Sequence, residues 1–104
     1  MPRKGRSRRM VFPEGWLLLV NSYLAEKGQR CFTYRGLRTW LFRKQEYRDI
    51  EWHTVERSIR KLAEHGYLDR VELESGDLLF CINTNAKKLL RTILESTYGN
   101  EVFR

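Results

Sequence analysis

The stretch of sequence that decides the fold runs from Trp52 to Ile82 and reads WHTVERSIRKLAEHGYLDRVELESGDLLFCI. In its first half Val55, Ile59 and Leu62 recur at helical spacing and fall within about 60° of one another on a helical wheel. The opposite side of that wheel is polar and mostly basic. Gly66 follows, and glycine suits the left-handed position that ends many helices because it has no Cβ to clash there. The pattern predicts an amphipathic helix that ends at this glycine.

The second half of the stretch consists of two short apolar runs separated by turn residues. Arg70–Glu74 and Leu78–Ile82 are predicted to be strands, with Ser75-Gly76-Asp77 in the turn between them. The whole stretch therefore predicts a helix over 52–65 followed by a β-hairpin.

Turn and cap residues divide the rest of the chain. Pro13 and Glu14 suit the first turn of a helix, and Gly28 suits its end. The predicted elements, in chain order, are a helix α1 over 13–27, a strand β1 over 30–33, a helix α2 over 34–43, the helix α3 over 52–65, the strands β2 over 70–74 and β3 over 78–82, and a helix α4 that begins near Asn83, Thr84 or Asn85 and ends near Tyr98.

The order α1–β1–α2–α3–β2–β3–α4 predicts an α+β fold, and it resembles a winged helix-turn-helix. The closest match is TVERSIRKLAEHGYLDRVE at Thr54–Glu72, which is similar to winged-helix transcription regulators common among small archaeal and archaeal-virus proteins. The resemblance covers residues 13–98, and we expect a basic disordered arm over 1–12 and a tail over 99–104. It implies that α3 reads bases in the major groove of DNA. The residues at the matching positions are His53, Thr54, Arg57 and Arg60.

The balance of charge points to an acidic partner, most often nucleic acid. The net charge is +7 and the isoelectric point is about 9.8. The first ten residues hold five cations and no acid, so most of the excess lies in the predicted arm. Such an arm can follow a phosphate backbone or enter a minor groove. The alternative is a solubilising terminus that binds nothing.

The cations are expected to divide into base contacts and phosphate contacts. Arg57 and Arg60 are the best candidates for base contacts, since a guanidinium bonds bidentately to guanine. The cations predicted to contact phosphates and fix register are Arg3, Lys4, Arg6, Arg8, Arg9, Arg35, Arg38, Arg43, Lys44 and Lys61. The alternative for each of them is an ordinary solvated surface charge.

The hairpin departs from the family it resembles. In that family the wing often touches the flanking backbone or the minor groove. Here Asp69, Glu72, Glu74 and Asp77 outnumber Arg70. Phosphate should repel such a tip, which puts a wing contact to DNA in doubt.

Catalysis finds little support in the sequence, and we expect no enzyme, no cofactor and no small-molecule substrate. His53 and His65 lie about 18 Å apart along one predicted helix, too far to share a metal. Cys31 and Cys81 lack the close spacing of zinc ligands. No apolar run approaches the ~20 residues of a membrane span, and no secretory signal is evident, so we expect an intracellular protein and no membrane partner.

The two cysteines allow a structural hypothesis. In winged helices of this order the first strand pairs with the last hairpin strand, so Cys31 and Cys81 lie on paired strands and could face each other. A disulfide would close a loop of about 50 residues and stabilise the fold by roughly 4 kcal/mol. Intracellular disulfides are rare outside hyperthermophiles, which favours the alternative of two buried free thiols.

The terminal helices predict a homodimer. The apolar stripe of α4 contains Ala86, Leu89, Leu90, Ile93, Leu94 and Thr97, and α1 presents a broad arc around Trp16, Leu19 and Tyr23 with Leu18 outside it. A core this small has limited room for both, so we expect the surplus to be buried against a second copy. The alternative is a monomer in which α4 closes its own core.

Three functions remain open. The leading hypothesis is a sequence-specific transcription regulator that binds double-stranded DNA. The second is a protein-interaction module of a replication or transcription assembly, which the acidic wing favours. The third is a non-specific, architectural nucleic-acid binder, which the basic arm favours.

Overall fold

The computed structural model describes the backbone of residues 10–102 and the side chains of residues 10–96. Within that part the chain forms four α-helices and one three-stranded antiparallel sheet, which confirms the α+β prediction and is compatible with a winged-helix layout. The elements are α1 (Glu14–Lys27), β1 (Cys31–Thr33), α2 (Tyr34–Arg43), a 3₁₀ turn (Gln45–Tyr47), α3 (Trp52–Glu64), β2 (Leu68–Glu72), β3 (Leu78–Ile82) and α4 (Thr84–Val102).

The helix ends follow local chemistry. Gly28 ends α1 with φ +66° and Gly66 follows α3 with φ +85°, both in the left-handed region. The N–H of Tyr67 donates to the carbonyl of Leu62 at 2.9 Å, which closes the last turn of α3. Asn83 caps the N-terminus of α4, since its Oδ1 accepts a hydrogen bond from the N–H of Ala86 at 3.0 Å. The sequence predicted all three of these caps.

The core lies between the helices and one face of the sheet. Val55, Ile59 and Leu62 are fully buried and fix α3 to the domain. The ring of Phe80, on β3, stacks on that of Phe32 with centroids 5.6 Å apart. The other large, fully buried side chains are Leu17, Leu19, Val20 and Leu37.

The sheet has the order β1-β3-β2, with β3 in the centre. The predicted bounds of β3 are confirmed, whereas β2 runs from Leu68 to Glu72 rather than from Arg70 to Glu74. Leu68 pairs with Ile82 and Asp69 pairs with Cys81, so the hairpin ladder extends to its root beside α3. This pairing is a tertiary contact that the residue pattern of β2 alone does not show.

The two ends of the predicted domain need correction. Met10 and Phe12 pack against the core, so the predicted arm over 1–12 is too long. The N–H of Gly15 donates to the carbonyl of Val11 at 2.7 Å, which joins this segment to α1. At the other end α4 continues to Val102, past the predicted end at Tyr98.

The apolar surfaces of the terminal helices are divided differently from the expectation. Trp16, Leu19 and Tyr23 are 6%, 2% and 4% exposed, so the arc of α1 is buried within its own domain. Leu18 is half-buried and packs against the same core. The core therefore accommodates α1, and the argument that α1 has a surplus to bury in a dimer is wrong.

The stripe on α4 is only partly used by the domain. Ala86 and Leu90 are buried, Leu89 and Ile93 are half-buried, and Leu94 is 36% exposed. Thr97 lies outside the described side chains. Ala86 and Leu90 close the core, and the apolar surface available to a partner is formed by Leu89, Ile93 and Leu94.

A disulfide joins Cys31 and Cys81. The two residues are register partners on β1 and β3, with their Cα atoms 4.0 Å apart. The predicted facing of the cysteines is confirmed. The favoured expectation of two buried free thiols is wrong, because the sulfurs are bonded and both residues are only half-buried on the outer face of the sheet.

Candidate nucleic-acid interface

The outward face of α3 presents every residue predicted to contact bases. His53, Thr54, Arg57 and Arg60 are all exposed, opposite the buried face of the helix. His53, Arg57 and Arg60 follow one another at intervals of four and three residues, so they lie in a row. The row is about 10 Å long at 1.5 Å per residue. We call it the α3 row, and its length matches about three base pairs at 3.4 Å each.

One acid accompanies the row at its first turn. Nδ1 of His53 lies 3.6 Å from Oε1 of Glu56, with the side chains 84% and 34% exposed. This carboxylate can pair with a protonated imidazole, and it places one negative charge beside the start of the row. The positive end of the α3 row is therefore formed by Arg57 and Arg60.

Arg60 lies against the first residue of α2. Burial raises the pKa of the Tyr34 hydroxyl, while the nearby charge of Arg60 and a hydrogen bond from it act in the opposite direction. Tyr34 also meets Trp52 edge-on, with ring centroids 6.1 Å apart. The start of α2, the start of α3 and Arg60 thus form one contact region.

The cations of α2 have different surroundings. Arg35 and Arg43 are exposed. The guanidinium of Arg38 lies 5.2 Å from the ring centroid of Phe42 and 5.6 Å from that of Trp52. These cation–π contacts orient Arg38 toward the first residue of α3.

Lys44 does not have the surroundings of a phosphate contact. Its Nζ lies 3.0 Å from Oε1 of Glu26 on α1, and 5.2 Å from the ring centroid of Trp40. The indole N–H of Trp40 donates to the same carboxylate oxygen at 3.0 Å. Hydrogen bonds from Trp40 and then Lys44 lower the pKa of Glu26. Lys44 is thus engaged in linking α2 to α1, and we remove it from the predicted interface.

Lys61 and the start of the described chain meet at the far end of α3. The Nζ of Lys61 lies 5.7 Å from the ring centroid of Phe12, and the ring of His65 meets the same phenyl edge-on at 5.0 Å. Lys61 itself is exposed. The five predicted phosphate contacts of the arm, Arg3, Lys4, Arg6, Arg8 and Arg9, lie outside the described residues.

The wing carries the opposite charge, as the sequence indicated. Asp69, Glu72, Glu74 and Asp77 are all exposed, and Arg70 is the one cation among residues 69–77. Asp69 accepts a hydrogen bond from Nδ2 of Asn83 at 3.2 Å. The hairpin therefore presents a local excess of three negative charges to solvent.

A groove that the sequence did not predict lies between the end of α2 and the start of α3. It has a volume of about 230 Å³. We call it the turn groove. Leu41 and Val55, which are buried, and Tyr47 and Ile50, which are half-buried, form its floor. The other residues that line it are Phe42, Arg43, Lys44, Gln45, Arg48 and Trp52.

Phe42, at the edge of this groove, is 69% exposed, the largest exposed fraction among the large hydrophobic side chains of the described chain. One feature of the sequence could have identified Phe42 as part of a surface cluster. Arg38 and Phe42 are four residues apart on the outward side of α2, the spacing at which a cation and a ring meet.

The described residues contain no cluster of three or more His, Cys, Asp or Glu side chains arranged to hold a metal ion. His65 is occupied locally, since its Nδ1 lies 2.9 Å from the carbonyl oxygen of Lys61. None of the described helices combines the length and the apolar character that crossing a membrane requires.

No protein-family model, curated protein or solved structure matches this chain.

Proposed function

We propose that this protein is a winged-helix protein that binds double-stranded DNA and regulates transcription sequence-specifically, with α3 in the major groove. One observation carries the proposal. Buried apolar residues hold α3 on the core, while the α3 row projects from the opposite face. A helix of this kind followed by a hairpin is how winged-helix proteins present side chains to base edges. The proposal places the protein inside a cell, where its DNA is.

The predicted DNA-contacting residues other than Lys44 divide into base contacts and phosphate contacts in this proposal. Arg57, in the middle of the α3 row, is the proposed guanine contact, and Arg60 the second base contact. His53 and Thr54 would add contacts at the start of the helix. Arg35, Arg38 and Arg43 on α2 and Lys61 on α3 are exposed and would hold phosphates, together with Arg3, Lys4, Arg6, Arg8 and Arg9 of the arm.

We keep the homodimer as part of the proposal, but move its interface to α4 alone. Leu89, Ile93 and Leu94 are the apolar residues of the described α4 that the domain leaves half-buried or exposed. A two-fold dimer would place two α3 helices about one DNA turn, roughly 34 Å, apart and predict a palindromic site. Light scattering of the wild type and of Leu94→Asp tests this. A mass near 12.6 kDa at every concentration would rule out the dimer.

Competition binding tests the proposed function. A labelled duplex that contains a binding site is challenged with its own unlabelled copy, with an unrelated duplex and with single-stranded RNA. A regulator should yield only to its own site at low competitor concentration. Equal displacement by all three would indicate non-specific, architectural binding instead.

The acidic wing favours a second candidate function, a protein-interaction module of a replication or transcription assembly. Its four exposed acids are unsuited to phosphate and suited to a basic protein surface. Absence of binding to any nucleic acid at low salt, together with capture of a defined basic partner by the wing, would favour this candidate.

A further inference from the structure

The turn groove has the chemistry of a receptor for an apolar side chain flanked by acids. Its floor is apolar, with Ile50 and Tyr47 half-buried at the surface. Its edge carries the exposed guanidinium groups of Arg43 and Arg48, whereas the exposed acids of the same segment, Glu46, Asp49 and Glu51, are not among the residues that line it. An occupant that contributes an aliphatic side chain to the floor and carboxylates to the edge would be complementary in both polarity and charge.

The tip of the wing has the matching chemistry. Leu73 is 38% exposed at the end of the hairpin, and Glu72 and Glu74 on either side of it are exposed too. The turn is defined by two backbone hydrogen bonds, from the N–H of Leu73 to the carbonyl of Asp77 at 2.8 Å and from the N–H of Gly76 to the carbonyl of Leu73 at 2.9 Å. The tip therefore carries an exposed leucine between two exposed glutamates in the sequence, on an ordered turn.

We propose that two copies of this protein associate head to tail, with the wing tip of one copy seated in the turn groove of the next. Leu73 would cover the apolar floor, and Glu72 and Glu74 would pair with Arg43 and Arg48 at the edge. The occupant is a second copy because the chain itself carries both complementary surfaces. The inference does not depend on DNA binding.

The geometry of this contact sets its consequences. The two surfaces differ, so the contact is heterologous, and each copy retains a free tip and a free groove for further copies. A hairpin tip in a groove of this size makes a small interface, so the association is weak, with a Kd between about 1 µM and 1 mM. Arg43 is also a proposed phosphate contact, so DNA and a second copy would compete for it.

Charge-reversed pairs test the proposal. The wing variant is Glu72→Arg with Glu74→Arg, and the groove variant is Arg43→Glu with Arg48→Glu. All four residues are exposed, so the changes leave the core intact. In this series every chain, the wild-type reference included, carries Leu94→Asp, which removes the α4 contact of the proposed homodimer. Sedimentation velocity of this reference over a concentration series, without nucleic acid, should show a mass that rises with concentration. Each variant alone should lose that rise, because its tip and groove then carry like charges.

An equimolar mixture of the two variants is the decisive sample. The arginine tips of one variant face the glutamate grooves of the other, and the remaining tips and grooves are complementary as well, so association should return. A single chain with all four substitutions has the net charge of the wild type and should associate by itself. Lys87→Glu with Lys88→Glu on α4 is the matched control, because it has the charge change of the groove variant at another exposed site, and it should keep the wild-type rise.

Three results would overturn the proposal. The first is a reference mass that stays constant over the series. The second is an equal rise in the reference and in both variants, which would place this self-association on a surface other than the tip and the groove. The third is a loss in the variants without recovery in the mixture, which would exclude direct pairing between the tip and the groove.

Discussion

The α3 row and the wing are consecutive in the chain, yet they carry opposite charge. The row has two arginines on a helix that buried residues hold in place, and Glu56 is the acid at its side. The wing has four exposed acids and one arginine. The fold determines where α3 and the hairpin lie, but the side chains on each element determine whether it suits a phosphate backbone.

The molecule therefore has two surfaces of opposite charge, the basic α3 row and the acidic wing. If α3 meets DNA, the like charge of wing and phosphate directs the wing tip away from the backbone or requires another partner for it.

The disulfide joins β1 to β3, the central strand of the sheet. Loss of this bond is therefore expected to have the largest effect on stability. Cys31→Ser with Cys81→Ser should lower the free energy of unfolding by up to about 4 kcal/mol, because the bond closes a loop of about 50 residues. Urea denaturation with and without reductant measures this. Wild type in reductant should match the double variant. Unchanged midpoints in both would contradict a stabilising bond.

Deletion of Met1–Arg9 should lower the affinity for DNA without changing the sequence preference. Each phosphate contact contributes a slope of about −0.9 in log K against log salt, so five cations contribute up to about −4.5. Salt titration of the truncated and the full chain measures the difference. An identical slope would mean that the arm does not touch the nucleic acid.

Substitution within the α3 row should affect the preferred site selectively. Arg57→Ala or Arg60→Ala should cost roughly 1–3 kcal/mol of binding free energy on that site and less on random DNA, because base-edge contacts exist only in the specific complex. Arg91→Ala, at an exposed position of α4, is the control and should have little effect on either. Equal losses on both DNAs would reassign these arginines to phosphate contacts.

Much of this arrangement could be predicted from sequence, because it rests on local patterns. Helical spacing and glycine punctuation identified α3 and its end, and the bounds of α2 and β3 are confirmed. The acidic wing and the exposure of the α3 row followed from the same patterns.

What the sequence could not predict depends on contacts between distant residues. Lys44 is engaged because Glu26, on another helix, lies within reach. Phe12 belongs to the domain because its ring packs at the end of α3. The cysteines could be placed opposite each other, but spacing alone does not decide between thiols and a bond. The turn groove is a different case, because its lining residues all lie within 41–55, and it forms only where α2, the 3₁₀ turn and α3 meet.

Charge reversal on the wing should have a small effect that reports its distance from DNA. Glu74→Lys should strengthen non-specific binding by less than about 1 kcal/mol if the tip lies near the backbone, as for other exposed charge pairs. No change is the result that a wing directed away from DNA predicts. Asp69→Lys, closer to the root of the hairpin, indicates whether the whole wing or only its tip is remote.

The pairing of Glu26 with Lys44 should give the smallest effect. The pKa of Glu26 is lowered in the folded protein, so its contribution is present above the usual glutamate value of 4.5 and is lost as the pH falls through the folded value. Glu26→Gln should therefore flatten the loss of stability of the wild type in acid. It should also release Lys44 and slightly raise non-specific DNA binding at neutral pH. Parallel acid denaturation curves would contradict the assignment.

Selection of bound sequences from a random duplex pool tests directly whether α3 reads DNA bases. The wild type should enrich a defined motif, and Arg57→Ala selected from the same pool should lose preference at one or two positions of it while the rest of the motif persists. Wing variants should enrich the wild-type motif unchanged. Tight binding without any enriched motif, or the same motif from wild type and Arg57→Ala, would contradict the account.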